Sequence, residues 1–271
     1  LVVWLAACHA CGFRPGYIDK RFRIVGGNDT EARNWPWQVY YDNGKGSACG
    51  GTVISPNFVL TAAHCKTPGD YNYIEFGDGT VRTATSCIVH ADYESVYKPN
   101  DIMILHHDEP IEYGDSVQPV CLDAGGTPFH DGIITGFGDQ INQKTGAHWN
   151  SQELREAAVT VFNYTECNAN FAPDFFESHY LTQYNLSNDG YICAGAEGRG
   201  ILFGDSGGPL VTRADDDRFY QLGIASYIAV NETEVILRQD LAPGVFTHVS
   251  AYCDWIANAT RGEARCGPPE E

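Results

Sequence analysis

Short apolar runs separated by glycine, proline, asparagine and aspartate recur along most of the chain. This spacing restricts the fold more than any other feature. The runs at 38–41, 52–55, 58–61, 102–105, 159–162, 221–227 and 245–249 have the length and composition of β-strands. Their spacing points to an all-β sandwich or barrel rather than to alternating βαβ units. Helical periodicity is clearest near the end. Tyr252, Trp255, Ile256 and Ala259 fall at i, i+3, i+4 and i+7, with Ser250 placed to cap the first turn. Beyond that helix, residues 267–271 read as a frayed tail.

The chain has 271 residues, of which 43% are hydrophobic, enough to bury a sizeable core. It carries 35 acidic and 17 basic residues, a formal net charge of −18. Such a surface offers little to a nucleic-acid backbone or an anionic bilayer, so neither partner is expected. The ten cysteines lie at 8, 11, 49, 65, 87, 121, 167, 193, 253 and 266. In that number they point to an oxidising compartment. Cys8 and Cys11 have C-x-x-C spacing, but no second pair answers them, so a zinc site is not expected.

The opening run, residues 1–8, is apolar and too short to span a bilayer. It reads as the end of a signal peptide, with residues 1–10 a remnant removed at Cys8-His9-Ala10; a buried first strand is the other reading. Five Asn-x-Ser/Thr sites, at Asn28, Asn163, Asn185, Asn231 and Asn258, agree with a secreted, extracellular glycoprotein.

Three segments carry chemistry. Thr61-Ala62-Ala63-His64-Cys65 follows an apolar strand, Asp101 stands just ahead of another, and Gly204-Asp205-Ser206-Gly207-Gly208-Pro209 sets one serine in a glycine-rich loop. A serine hydroxyl needs an adjacent base to become a nucleophile. Histidine suits that task because it titrates near neutral pH, and a buried carboxylate fixes its tautomer. Glycines flanking the serine let backbone N–H groups converge on a developing oxyanion.

Read together, Ile24-Val25-Gly26-Gly27, TAAHC at 61–65, DIMIL at 101–105 and GDSGGP at 204–209 resemble the chymotrypsin/trypsin-like serine proteases. The order His, Asp, Ser is that family's, and the resemblance runs from Ile24 to about Ala259. It implies His64, Asp101 and Ser206 as the catalytic residues, with the N–H groups of Gly204 and Ser206 as the oxyanion hole. Ser226 matches the serine that supports the aspartate. Cleavage between Arg23 and Ile24 would free an amine that pairs with Asp205, so the chain is expected to be a zymogen. The resemblance also implies disulfides Cys49–Cys65 and Cys167–Cys193, and Cys11 linked to Cys121 as a propeptide tether.

The chain departs from the family around the substrate pocket, expected from Gly200, Ile201, Leu202, Phe203, Ser226, Tyr227, Ile228 and Gly244. Gly200 stands where trypsin-like members have an aspartate, which argues against cleavage after Lys or Arg. Leu202 and Thr212 replace family cysteines, so one pocket brace is missing. Ile201 and Leu202 suggest an apolar floor. Ile228 replaces a glycine of the wall and shortens the pocket, while Gly244 leaves the opposite wall open. Small or medium apolar residues are therefore the expected preference, elastase- or chymotrypsin-like. Cys87, Cys253 and Cys266 have no family assignment, and a bridge from Cys87 to Cys253 or Cys266 is expected. The loop 75–79 is shorter than in calcium-binding members, so neither calcium nor any other metal or cofactor is expected.

The expected architecture is two antiparallel Greek-key β-barrels packed together, with a C-terminal α-helix. Residues 1–10 would be the signal remnant, 11–23 the propeptide, 24–125 the barrel with His64 and Asp101, and 126–271 the barrel with Ser206. The expected activity is that of a secreted serine endopeptidase acting on protein or peptide substrates. It would be activated by a trypsin-like protease and open to protein inhibitors. The odd pocket and the lost bridge leave one alternative, a catalytically weak or inactive protease-fold binding protein, and the sequons alone leave another, a structural or adhesive secreted glycoprotein.

Overall fold

The computed structural model describes residues 11–14, 27–44, 48–67, 72–126, 129–141, 145, 147–151, 153–170, 186, 190–228 and 236–268. The segment 1–10, Arg23, Ile24, Asn185 and Asn231 lie outside the described residues. In chain order the strands are β1 (Asn28–Asp29), β2 (Gln38–Asp42), β3 (Ala48–Val53), β4 (Phe58–Thr61), β5 (Tyr73–Phe76), β6 (Val81–Thr83), β7 (Ser86–Val89) and β8 (Met103–His106). Then come β9 (Cys121–Leu122), β10 (Asp131–Gly136), β11 (Asp139–Ile141), β12 (His148–Asn150), β13 (Arg155–Asn163), β14 (Tyr191–Gly195), β15 (Pro209–Arg213), β16 (Phe219–Tyr227) and β17 (Gly244–His248). Among the described residues the α-helices are α1 (Tyr164–Asn170) and α2 (Cys253–Ala259).

The strands form two barrel units. The first is a curled sheet in the order β6-β5-β2-β3-β4-β8-β7. In the second, β13, β10, β15, β16, β17 and β14 run in order, and β14 pairs back with β13 to close the barrel. Patterning explains the layout. In β5, Ile74 and Phe76 point inward between outward-facing Tyr73 and Glu75, the two-residue period of a half-buried strand. Every residue of β16 is buried, because it is flanked by β15 and β17 and also takes β9 as a parallel neighbour.

The sequence-based strands shift at their ends for local reasons. The run at 52–55 belongs to a strand that starts at Ala48 and stops at Val53, since Ile54 and Ser55 turn back to hydrogen-bond the Phe58 carbonyl. The run at 159–162 extends back to Arg155, where Glu156 is held inward by the indole N–H of Trp35. Ser250 does not cap the terminal helix. A 3₁₀ turn over Val249–Tyr252 leads into α2, and the Ser250 hydroxyl pairs with His248 Nε2 at 3.0 Å instead.

Among the described residues four disulfides join Cys11–Cys121, Cys49–Cys65, Cys167–Cys193 and Cys253–Cys266. The expected bridge from Cys87 to the terminal segment is therefore corrected. Left-handed backbone at Arg261 and Gly262 turns the chain after α2, and Cys266 bridges Leu122 and meets Cys253. Cys87 lies on β7 as a half-buried free thiol, and burial raises its pKa.

The two barrels meet through directional contacts. Thr52 Oγ1 donates to Gln221 Oε1 at 2.7 Å, and Thr135 Oγ1 donates to Gln38 Oε1 at 2.6 Å. A strap at Cys11–Arg14 crosses the same seam. Gly12 donates to the Pro119 carbonyl and accepts from the Phe219 N–H. Arg14 stacks 4.0 Å above the Trp35 ring and lies 3.6 Å from Glu156.

Candidate active site

His64 sits in a 3₁₀ turn, Ala63–Cys65, directly after β4, and the Cys49–Cys65 bridge ties that turn back to β3. Its backbone N–H donates to Asp101 Oδ1 at 2.9 Å, and its Nδ1 lies 2.7 Å from Asp101 Oδ2. A carboxylate only accepts, so this contact puts the ring proton on Nδ1 and leaves Nε2 as the free base. Asp101 is 1% exposed while the His64 side chain keeps 21%, so the acid is enclosed and the imidazole reaches solvent.

Several elements hold Asp101. Asn100 adopts a left-handed conformation (φ 73°), which asparagine tolerates better than most residues. Its N–H donates to the Tyr252 hydroxyl, and its side-chain oxygen accepts from the same hydroxyl. Thr247 Oγ1 donates to the Asp101 carbonyl, and the Ser226 hydroxyl donates to Asp101 Oδ2. Ser226 reaches it from β16, where the register with β17 shifts between Ala225 and Tyr227. Such an irregularity re-aims a side chain without ending the strand.

Ser206 stands in a loop clipped to β3, the strand that the Cys49–Cys65 bridge ties to the His64 turn. The Gly50 N–H donates to the Ser206 carbonyl at 2.7 Å, Thr61 Oγ1 donates to the Gly50 carbonyl, and Gly207 donates to Ala225. A β-carbon on Gly207 would run into Thr61 Oγ1 and the Gly50 carbonyl. Gly204 has φ 93°, a conformation that suits glycine.

Beneath the loop, the Asp205 carboxylate accepts from the Gly138 N–H through Oδ1 and from the Leu202 N–H through Oδ2, both at 2.9 Å. Burial raises its pKa from 3.8 to about 6, against the lowering effect of those two donors. Gly136 and Gly138, which sequence reasoning missed, make room for it, since a β-carbon on either would press into the carboxylate.

Of the residues expected to line the pocket, Ile201 is buried and Phe203 is half exposed. Tyr227 is buried on the side of the Cys167–Cys193 bridge, with Tyr97 edge-on to it at 5.3 Å. Leu202 packs with Ile141 and Ile236, and Ile228 and Leu237 lie against them, an apolar cluster where the family's brace is missing. The surroundings of two of these positions differ from expectation. Gly200 is not bordered by apolar groups alone, because the Gln239 carboxamide lies directly over it, and a β-carbon there would overlap it. Nor does Gly244 face open space: a β-carbon there would lie 2.6 Å from Ile201 Cγ1 and 3.4 Å from Gln239 Oε1. Nothing in the local sequence around Gly200 announces Gln239.

A family model described as Trypsin matches residues 24–256. The chain belongs to the trypsin family of serine endopeptidases. Within that family it is 32% identical to a tryptase of Mus musculus over 260 residues, covering 89% of this chain and 90% of the relative. It is 31% identical to an ovochymase of Halocynthia roretzi, across 93% of this chain but 16% of that protein. It is 30% identical to the suppressor of tumorigenicity 14 protein homolog of Bos taurus, across 91% of this chain and 29% of that protein. The chain thus spans nearly all of one relative and less than a third of the other two. As a trypsin-family endopeptidase it acts on protein substrates. No helix among its described residues is long and apolar enough to cross a membrane.

Proposed function

We propose that Ser206, His64 and Asp101 carry out peptide-bond hydrolysis and that the chain is a secreted zymogen activated at Arg23–Ile24. The observation that carries this reading is the Ser226–Asp101–His64 hydrogen-bond chain beside a serine loop clipped to Gly50. His64 Nε2 takes the Ser206 proton as Oγ bonds to the scissile carbonyl carbon. The Gly204 and Ser206 N–H groups stabilise the oxyanion that forms. The imidazolium, steadied by Asp101, gives its proton to the leaving amine as the C–N bond breaks. Water then repeats the cycle on the acyl-enzyme and regenerates Ser206.

Activation follows from the buried Asp205. A buried carboxylate whose donors among the described residues are two backbone N–H groups, at raised pKa, is suited to receive the Ile24 ammonium that cleavage creates. Residues 11–23 would then form the propeptide, 24–125 and 126–271 the two barrels. The Ile228 side chain supports preference for small or medium residues with apolar walls around them. Asn28, Asn163 and Asn258 are exposed, which supports glycosylation in a secretory route. An activating trypsin-like protease and protein inhibitors are the expected regulators.

The test is to cleave after Arg23, confirm the new Ile24 N-terminus, and treat with a fluorophosphonate. Labelling of Ser206 is expected only after cleavage. Confirmed cleavage without labelling would overturn the reading in favour of a binding protein.

A further inference from the structure

Gln239 is a polar side chain buried against Ile201 and over Gly200. It is 1% exposed. Its Nε2 donates to the Ile201 carbonyl at 2.9 Å, which fixes the orientation of the amide and leaves Oε1 as an acceptor. No protein group among the described residues donates to that oxygen. The carboxamide covers Gly200, and Oε1 lies 3.4 Å from where a Gly244 β-carbon would point. Gly200 and Gly244 come from separate segments, and Gln239 fills the space both leave by lacking side chains.

An acceptor enclosed in this way favours whatever brings it a donor. Leaving a buried polar group unpaired costs about 1–3 kcal/mol, and a site built to bond a substrate OH or NH rejects the analogue lacking it far more strongly than a site that only counts methylenes. No carboxylate stands at Gly200, Gly244 or Gln239, so a full positive charge has no counter-ion there. Ile228 limits length. We propose that Gln239 is the floor of the substrate pocket and a specificity-determining residue, selecting small or medium side chains tipped by a neutral hydrogen-bond donor over their apolar isosteres. This rests on the endopeptidase reading of the same cleft, and it sharpens the apolar preference by adding one polar point at the bottom.

The test uses the cleaved enzyme and three pairs of peptide substrates, free of Lys and Arg, that differ only before the scissile bond: Thr against Val, Asn against Leu, Gln against Met. In the native enzyme the donor member of at least one pair should show about tenfold higher kcat/KM. Gln239→Met, which keeps volume and removes the acceptor, should bring that ratio close to one. Gln239→Ala should deepen the pocket and raise turnover after Phe or Tyr. Fluorophosphonate labelling of each variant separates the outcomes. A native enzyme that cannot be labelled sinks the endopeptidase reading and this inference with it. A labelled native enzyme that prefers the apolar member of every pair overturns the inference alone. So does a Gln239→Met variant that labels normally and keeps the native ratios. If that variant fails to label, Gln239→Ala decides, and unchanged turnover after Phe and Tyr counts against the floor.

Discussion

Replacing Asp205 with asparagine in the uncleaved chain should change how stability depends on pH. The folded carboxyl titrates at about 6 against an ordinary 3.8, because burial penalises its charge more than the Gly138 and Leu202 N–H groups offset it. A carboxyl whose folded pKa is raised stabilises the fold fully below the unfolded pKa. That contribution is lost as pH rises through the folded value. From 3.8 to about 6 the span corresponds to about 3 kcal/mol, at about 1.4 kcal/mol per pKa step. Asparagine does not titrate. It also loses one of the two backbone hydrogen bonds, but that loss is the same at every pH. Urea melts of the uncleaved chain and its Asp205→Asn variant at pH 4 and pH 7.5 isolate the effect. The stability difference between the two proteins should shift by up to about 3 kcal/mol in favour of the variant at the higher pH. A difference that stays constant between the two pH values would refute the reasoning.

Three further outcomes follow from the geometry. Ser226→Ala removes the hydroxyl that donates to Asp101 and should lower kcat/KM of the cleaved enzyme about tenfold with little change in melting temperature, measured by steady-state turnover and thermal melts. Gly136→Ala puts a β-carbon into the Asp205 carboxylate, so it should destabilise the chain by about 1–3 kcal/mol and weaken fluorophosphonate labelling. Opening the Cys253–Cys266 bridge, which closes a loop of 13 residues, should cost about 3 kcal/mol. Non-reducing peptide maps should show that pair joined and Cys87 alkylated, slowly at neutral pH because burial raises its pKa.

What could be read from the sequence is what contiguous backbone carries. The serine loop needs its glycines side by side, and His64 must follow its strand directly, so both stand as short motifs. An apolar strand such as β8 is legible for the same reason, whereas the four-residue alternation of β5 is not singled out by the sequence. The surroundings of Gly200 are different, because Gln239, which covers it, lies far along the chain. The Cys253–Cys266 pairing depends on a reversal after α2 that a spacing list does not contain. Helix α1 is an intermediate case. Asn163 Oδ1 accepts from the Thr165 and Glu166 N–H groups, and Glu166 returns a carboxylate to the Asn163 N–H. That capping box is a local signal, overshadowed by the strand that runs straight into it.

The seam between the barrels has an engineering consequence. Apolar interfaces tolerate a partner that slides or is replaced by a similar shape. Here the registration is written in matched pairs: Thr52 with Gln221, Gln38 with Thr135, Trp35 with Glu156. A chimera that exchanges one barrel for a relative's therefore has to carry both halves of each pair. Otherwise it buries an orphaned amide, hydroxyl or carboxylate behind the cleft. The two halves of this protease are keyed to each other like a lock whose teeth lie well away from the door.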